Sequence, residues 1–166
     1  MILVRHPEVV TPRTIVGQSD VALSPRGLAQ IDEIVSQLPA SWRVVTSDLS
    51  RCVAVANRFA ETTVDARWRE QSFGDWEGHT WDDVDGRDYL DRWTTATPPH
   101  GESIEAVRTR VAEALDELDD DTIVITHAGP IRCVLTLTRG LTLEQAFAIP
   151  LDYAAVIHIQ HPRRTS

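Results

Sequence analysis

Short apolar runs that end in chemistry-bearing turns constrain this chain more than any other feature. Thr122-Ile123-Val124-Ile125-Thr126 is β-branched at all five positions, which favours a strand buried on both faces. His127-Ala128-Gly129-Pro130 follows at once and leads into a helix through Val134, Leu135 and Leu137. Ile2-Leu3-Val4 is a second buried run and empties into Arg5-His6. Arg43-Val44-Val45-Thr46 is a third, continuing into Ser47-Asp48, which is expected to cap a helix carrying Arg51, Cys52, Val55, Ala56 and Phe59.

Helical periods separate the runs. Ser24-Pro25 opens a helix, with Ser as N-cap and Pro at the first helical position; Leu28, Ile31, Ile34, Val35 and Leu38 line one face until Pro39. Ser103 opens another, with Ile104, Val107, Val111, Ala114, Leu115 and Leu118 on its apolar face. Short strands are expected over 62–66 and 154–159, and the Trp-, Asp-, Pro- and Gly-rich stretch 68–101 has no clear period. Strands that alternate with helices predict an α/β fold: a three-layer α/β/α sandwich around a mainly parallel sheet.

The length, 166 residues, fits one domain over 1–166. A net charge of -9 disfavours nucleic acid and anionic membrane as partners, so an anion site here requires a local cluster of arginines. No run approaches the ~18 apolar residues of a membrane span, and the first apolar run is too short for a signal peptide. Two cysteines, Cys52 and Cys133, offer no disulfide framework and fit a reducing, cytoplasmic setting.

In a parallel sheet, ligands bind beyond the carboxyl ends of the strands. Three such ends bring Arg5-His6, Thr46-Ser47-Asp48 with Arg51, and His127-Ala128-Gly129 to one rim. Two imidazoles, two guanidinium groups and helix N-termini in an acidic chain suit a phosphate dianion. Taken singly, a histidine after a strand is more often structural. The conjunction points to phosphoryl transfer, in which an imidazole attacks phosphorus and arginines offset charge on the equatorial oxygens. The leaving oxygen needs a proton, and Glu70, opening an aromatic Gly-containing loop, is the candidate donor.

At these residues the sequence resembles the histidine phosphatase superfamily, with its phosphoglycerate-mutase-like fold. Arg5-His6, Thr46-Ser47-Asp48-Leu49-Ser50-Arg51-Cys52, Glu70 with Phe73-Gly74 and Trp76-Glu77-Gly78, Gly101-Glu102-Ser103, and Thr126-His127-Ala128-Gly129 look like its motifs, in order. The resemblance implies His6 as nucleophile, Glu70 as general acid and then base, and Arg5, Arg51 and His127 as the phosphate pocket, with help from backbone at Gly17 and Ala128. It implies no metal and no cofactor. Gly17-Gln18-Ser19-Asp20-Val21-Ala22-Leu23 and the 73–78 run are similar to the α-ribazole phosphatase branch, so the expected partner is a small phosphorylated metabolite such as α-ribazole 5′-phosphate. Two departures stand out. Pro7 replaces the usual Gly and removes an N–H donor. Val9 and Pro12 fall where the family often has Thr and Asn, leaving Thr11, Gln18 or Ser19 as substitutes.

Four other readings compete. Cys52 and Cys133 each begin a Cys-x5-Arg spacing, but the intervening residues lack Gly and read as buried structure. A mutase of this family is typically longer. A non-catalytic phospho-ligand binder draws its support from Pro7. A zinc hydrolase lacks a His-x3-His or Cys-x2-Cys pair, and His158 with His161 sits near a polar C-terminus. Trp76, Trp81, Trp93 and His100 are expected as core filling or as a substrate-facing lid.

Overall fold

The computed structural model describes residues 1–10, 13–84 and 86–160. Five strands form one sheet: β1 (Ile2–Arg5), β2 (Arg43–Thr46), β3 (Thr62–Val64), β4 (Thr122–Thr126) and β5 (Val156–His158), in the order β3-β2-β4-β1-β5. The pairs β3–β2, β2–β4 and β4–β1 are parallel, and β5 closes the edge antiparallel to β1. Six helices are found among the described residues: α1 (Pro25–Val35), α2 (Ser50–Ala56), α3 (Gly86–Arg92), α4 (Ile104–Asp116), α5 (Ala128–Arg139) and α6 (Leu143–Phe147).

The period-2 pattern of the central strands assigns their side chains to two cores. Ile2, Val4, Val44, Ile123 and Ile125 pack with Ile31 and Ile34 of α1 and Cys52 and Val55 of α2. Leu3, Val45 and Val124 point the other way, onto Val107 and Val111 of α4, Ile131 and Val134 of α5, and Trp68. Each such aliphatic side chain contributes about 1.5–3 kcal/mol through burial. The sheet is therefore covered on both faces, as three layers.

Several boundaries differ from the sequence reading. Leu28 is 59% exposed, while Gly27 and Gln30 are buried in its place. The reason is local: Glu8 N–H donates to Gln30 Oε1, and Glu8 accepts from the Ser24 hydroxyl and amide, so the chain leaving β1 lies against this helix. α1 stops at Val35, before Leu38. α2 begins at Ser50 with Leu49 as N-cap and no cap bond from its own side chain. Asp20, remote in sequence, accepts from both the amide and the hydroxyl of Ser50. Asp48, expected to cap, instead pairs with Arg69. β3 stops at Val64, a 3-10 turn, Ala66–Trp68, leads into the aperiodic stretch, and that stretch holds a second such turn, Gly74–Trp76, besides α3. No described helix is long and apolar enough to cross a membrane.

Candidate active site

Register carries the site. Arg5 pairs with Thr126, and Thr46 with Ile125, so the carboxyl ends of β1, β2 and β4 lie side by side. The ladder runs on into the site: His6 N–H donates to Thr126 O (2.9 Å), Ala154 N–H to His6 O (3.2 Å), and Ser47 N–H to Ile125 O (3.0 Å). The His6 and His127 rings end 5.0 Å apart, centroid to centroid.

A cavity of about 390 Å³ opens over this rim, lined at its polar end by Arg5, His6, Arg51, Glu70, Ala128 and Gly129. His6 is 5% exposed. Burial, then the charge of Arg51, pulls its pKa down to about 3, so the imidazole is neutral near pH 7. Its Nδ1 lies 2.7 Å from Pro7 O. A carbonyl only accepts, so Nδ1 carries the hydrogen and Nε2 keeps the lone pair. Pro7 thus lacks an N–H, but its carbonyl still fixes the tautomer of the neighbouring ring.

Arg51 is 1% exposed. It donates through Nη1 to Ser19 O (2.8 Å), through Nη2 to Gly17 O (2.7 Å), and through Nε to His127 Nδ1 (3.3 Å). Since His127 Nδ1 accepts, its Nε2–H donates to Ser47 Oγ at 2.9 Å. Burial first, then electrostatic interaction with the His6 ring and with Arg51, keeps His127 well below its ordinary pKa. The sequence placed His127 in the pocket. With no exposed surface and both ring nitrogens engaged, it stands behind His6 and Arg51 and is not on the cavity wall. Arg5 lies over the Tyr153 ring, 4.0 Å from its centroid, and donates to Leu151 O.

Gly17 has φ +52° and lines the cavity; a Cβ there would fall 2.2 Å from Glu77 Oε1. What it shows is a carbonyl turned to Arg51. Gln18 and Ser19, expected as substitute phosphate donors, are engaged elsewhere: Gln18 Nε2 donates to Glu70 O and Glu102, and the Ser19 hydroxyl to Glu77. Thr11 and Pro12 lie outside the described residues.

Glu70 also lines the cavity. Its carboxylate accepts from Gly129 N–H (3.1 and 3.3 Å) and Gln71 N–H (3.0 Å). A Cβ at position 129 would stand 2.1 Å from Glu70 Oε1, so any side chain there would displace the carboxylate.

Of the tryptophans, Trp68 is core, Trp93 packs on Phe147 (4.4 Å), and Trp81 lines the cavity beside Phe73. Trp76 and Tyr89 pack against Trp81 and against each other outside the cavity lining. His100 is exposed and pairs with Asp75. Cys52 and Cys133 are buried inside α2 and α5, not in phosphate-wrapping loops. Burial raises both thiols, Cys133 to about 12, which removes the thiolate that cysteine phosphatase chemistry needs. His161 lies outside the described residues, and no group of three or more potential metal ligands occurs among the rest. Nothing in the sequence pointed to Tyr153 and Arg132, which line the cavity; Ser47 was placed at the rim as part of a helix cap, but not as the partner of His127.

The sequence matches the histidine phosphatase superfamily (branch 1) over residues 1–165. The chain belongs to this superfamily. A phosphoglycerate mutase from Thermus thermophilus is 30% identical, with 98% of this chain and 94% of that one covered and a TM-score of 0.82. The mycobacterial glucosyl-3-phosphoglycerate phosphatase Rv2419c is 25% identical over 94% of this chain and 87% of that one, with a TM-score of 0.78. Among curated proteins, the bifunctional protein Rv2228c of Mycobacterium tuberculosis is 29% identical over 94% of this chain. This superfamily chain spans about half the length of the curated relatives it matches, 58% or 48%.

Proposed function

We propose that this protein is a phosphomonoesterase that hydrolyses a small phosphorylated metabolite through a phosphohistidine on His6. Nε2 of His6 attacks phosphorus while the bond to the ester oxygen breaks, and the protonated Glu70 carboxyl supplies the leaving oxygen with its proton. Arg5 and Arg51 offset the charge on the transferring group, with His127 holding Arg51. The Glu70 carboxylate then takes a proton from water. That water attacks the phosphohistidine, and orthophosphate and free His6 result.

The state of His6 carries this reading. It is a buried imidazole, neutral near pH 7, with Nδ1–H held by Pro7 O and the Nε2 lone pair left over, on a cavity also lined by three arginines, Arg5, Arg51 and Arg132, and the Glu70 carboxylate. Phe73 and Trp81 give an aromatic leaving group a face to pack against. α-Ribazole 5′-phosphate, the substrate suggested by the sequence motifs, is the first metabolite to assay.

Trapping with labelled substrate tests the intermediate. The expected phosphoenzyme is lost in acid and survives base, as a phosphoramidate does. A label stable in acid would show that a hydroxyl or another group, not His6, takes the phosphoryl group. Orthophosphate release without an isomeric phosphoester separates hydrolysis from mutase activity.

A further inference from the structure

The ion pair of Arg110 and Glu102 lies under the acid segment, outside the cavity lining. Arg110 lies on the second turn of α4, and its side chain is 16% exposed; that of Glu102, just before the helix, is 27% exposed. Arg110 Nε and Nη2 grip the two Glu102 oxygens at 3.0 Å each. The remaining donors go to main-chain carbonyls of one segment: Nη1 to Arg67 O (2.6 Å) and Arg69 O (2.8 Å), and Nη2 to Glu70 O (3.0 Å). Glu102 Oε2 takes Ser72 N–H (2.9 Å) and Gln18 Nε2 (3.0 Å), and that same Gln18 nitrogen donates to Glu70 O (3.0 Å). The backbone around Glu70 is thus held from position 67 to position 72 by one ion pair. Burial pushes the Glu102 carboxyl up, but its bonds to Arg110 and Ser72 outweigh this and keep it ionised.

Geometry gives this arrangement a catalytic consequence. Residues 69–73 form no strand and no helix, so no ladder fixes where the Glu70 carboxyl sits. A proton donor displaced by ~1 Å loses on the order of 100-fold in effectiveness. We propose that Arg110 and Glu102 are positioning residues that hold the backbone of Glu70 so that its carboxyl meets the leaving oxygen. The inference rests on the function proposed above, specifically on Glu70 as general acid.

The test compares two substrates on the same preparation. 4-Nitrophenyl phosphate releases a stable phenolate and needs little protonation; β-glycerophosphate releases an alkoxide and depends on the acid. The quantity read is the ratio of their kcat/KM values, aryl over alkyl. A partly unfolded sample lowers both values alike, so the ratio reports the acid alone. Arg110→Met and the near-isosteric Glu102→Gln are each expected to raise it about 10-fold or more, in the direction taken by Glu70→Gln, whose own effect is about 100-fold or more. A rise in either variant supports the clamp. An unchanged ratio in both, with the ratio raised in Glu70→Gln, overturns it and leaves the phosphatase reading standing. An unchanged ratio in Glu70→Gln removes Glu70 as the acid, and the clamp falls with it.

Discussion

His6 and Glu70 face one cavity from two regions built on different principles. His6 continues a strand. Its amide and carbonyl are held by neighbouring strand-end backbone, at Thr126 and Ala154, and its ring is backed by His127. Glu70 sits in irregular chain, and its carbonyl is held by two side chains, Arg110 and Gln18. The rim is positioned by backbone pairing that any strand-forming sequence supplies. The acid segment is positioned by particular residues whose loss leaves main-chain acceptors without partners. One turn, 17–19, joins the regions: Gly17 O and Ser19 O hold Arg51, while Gln18 holds Glu70.

The largest expected effect breaks the rim at its chemical centre. His6→Ala should bring hydrolysis of aryl and alkyl phosphates alike below detection, because the proposed phosphoryl acceptor is gone. Residual turnover of the aryl ester near the wild-type rate would make His6 a bystander. Ser47→Ala is a smaller break. It leaves His127 Nε2–H with only the Cys52 sulfur, 3.4 Å away, and should lower unfolding free energy by about 1–3 kcal/mol. Because the acid segment is untouched, the aryl-to-alkyl ratio should not move; a raised ratio in Ser47→Ala would show that the two regions are not separable. Denaturant midpoints and the two-substrate assay read both quantities.

The smallest effect follows pH. His6 titrates near 6.5 when unfolded and about 3 in the folded chain. The unfolded state therefore binds more protons between those values, and the folded state loses stability as pH falls below about 6.5. Between pH 7 and 5.5 this amounts to about 1 kcal/mol for one buried neutral histidine. His6→Gln should show a correspondingly shallower loss than wild type when unfolding is followed at several pH values. Identical slopes would mean that His6 takes up its proton as easily folded as unfolded.

How far the sequence could be read depends on the range of the interactions involved. The β-branched run of β4 and the alternating cores specify strands and faces from a few adjacent residues, and parallel pairing then forces the carboxyl ends to one rim. That is why Arg5, His6, Arg51 and His127 could be grouped in advance. Other features depend on contacts between distant segments. Asp20 caps α2 across thirty positions of chain, and Asp48, beside that helix, turns to Arg69 instead. Gln18 and Ser19 have the chemistry of phosphate donors but spend it on Glu70, Glu102 and Glu77.

The layered α/β architecture, the family motifs and the residue types at the rim are all present in the linear chain, because local period and composition encode strand, helix and turn. Three things emerge only on folding: His127 stands behind the cavity, Gly129 makes room for a carboxylate, and Arg110 secures the acid segment. Each of these is a contact between segments far apart in the chain, and hydrogen-bond direction and steric room exist only once the segments have met.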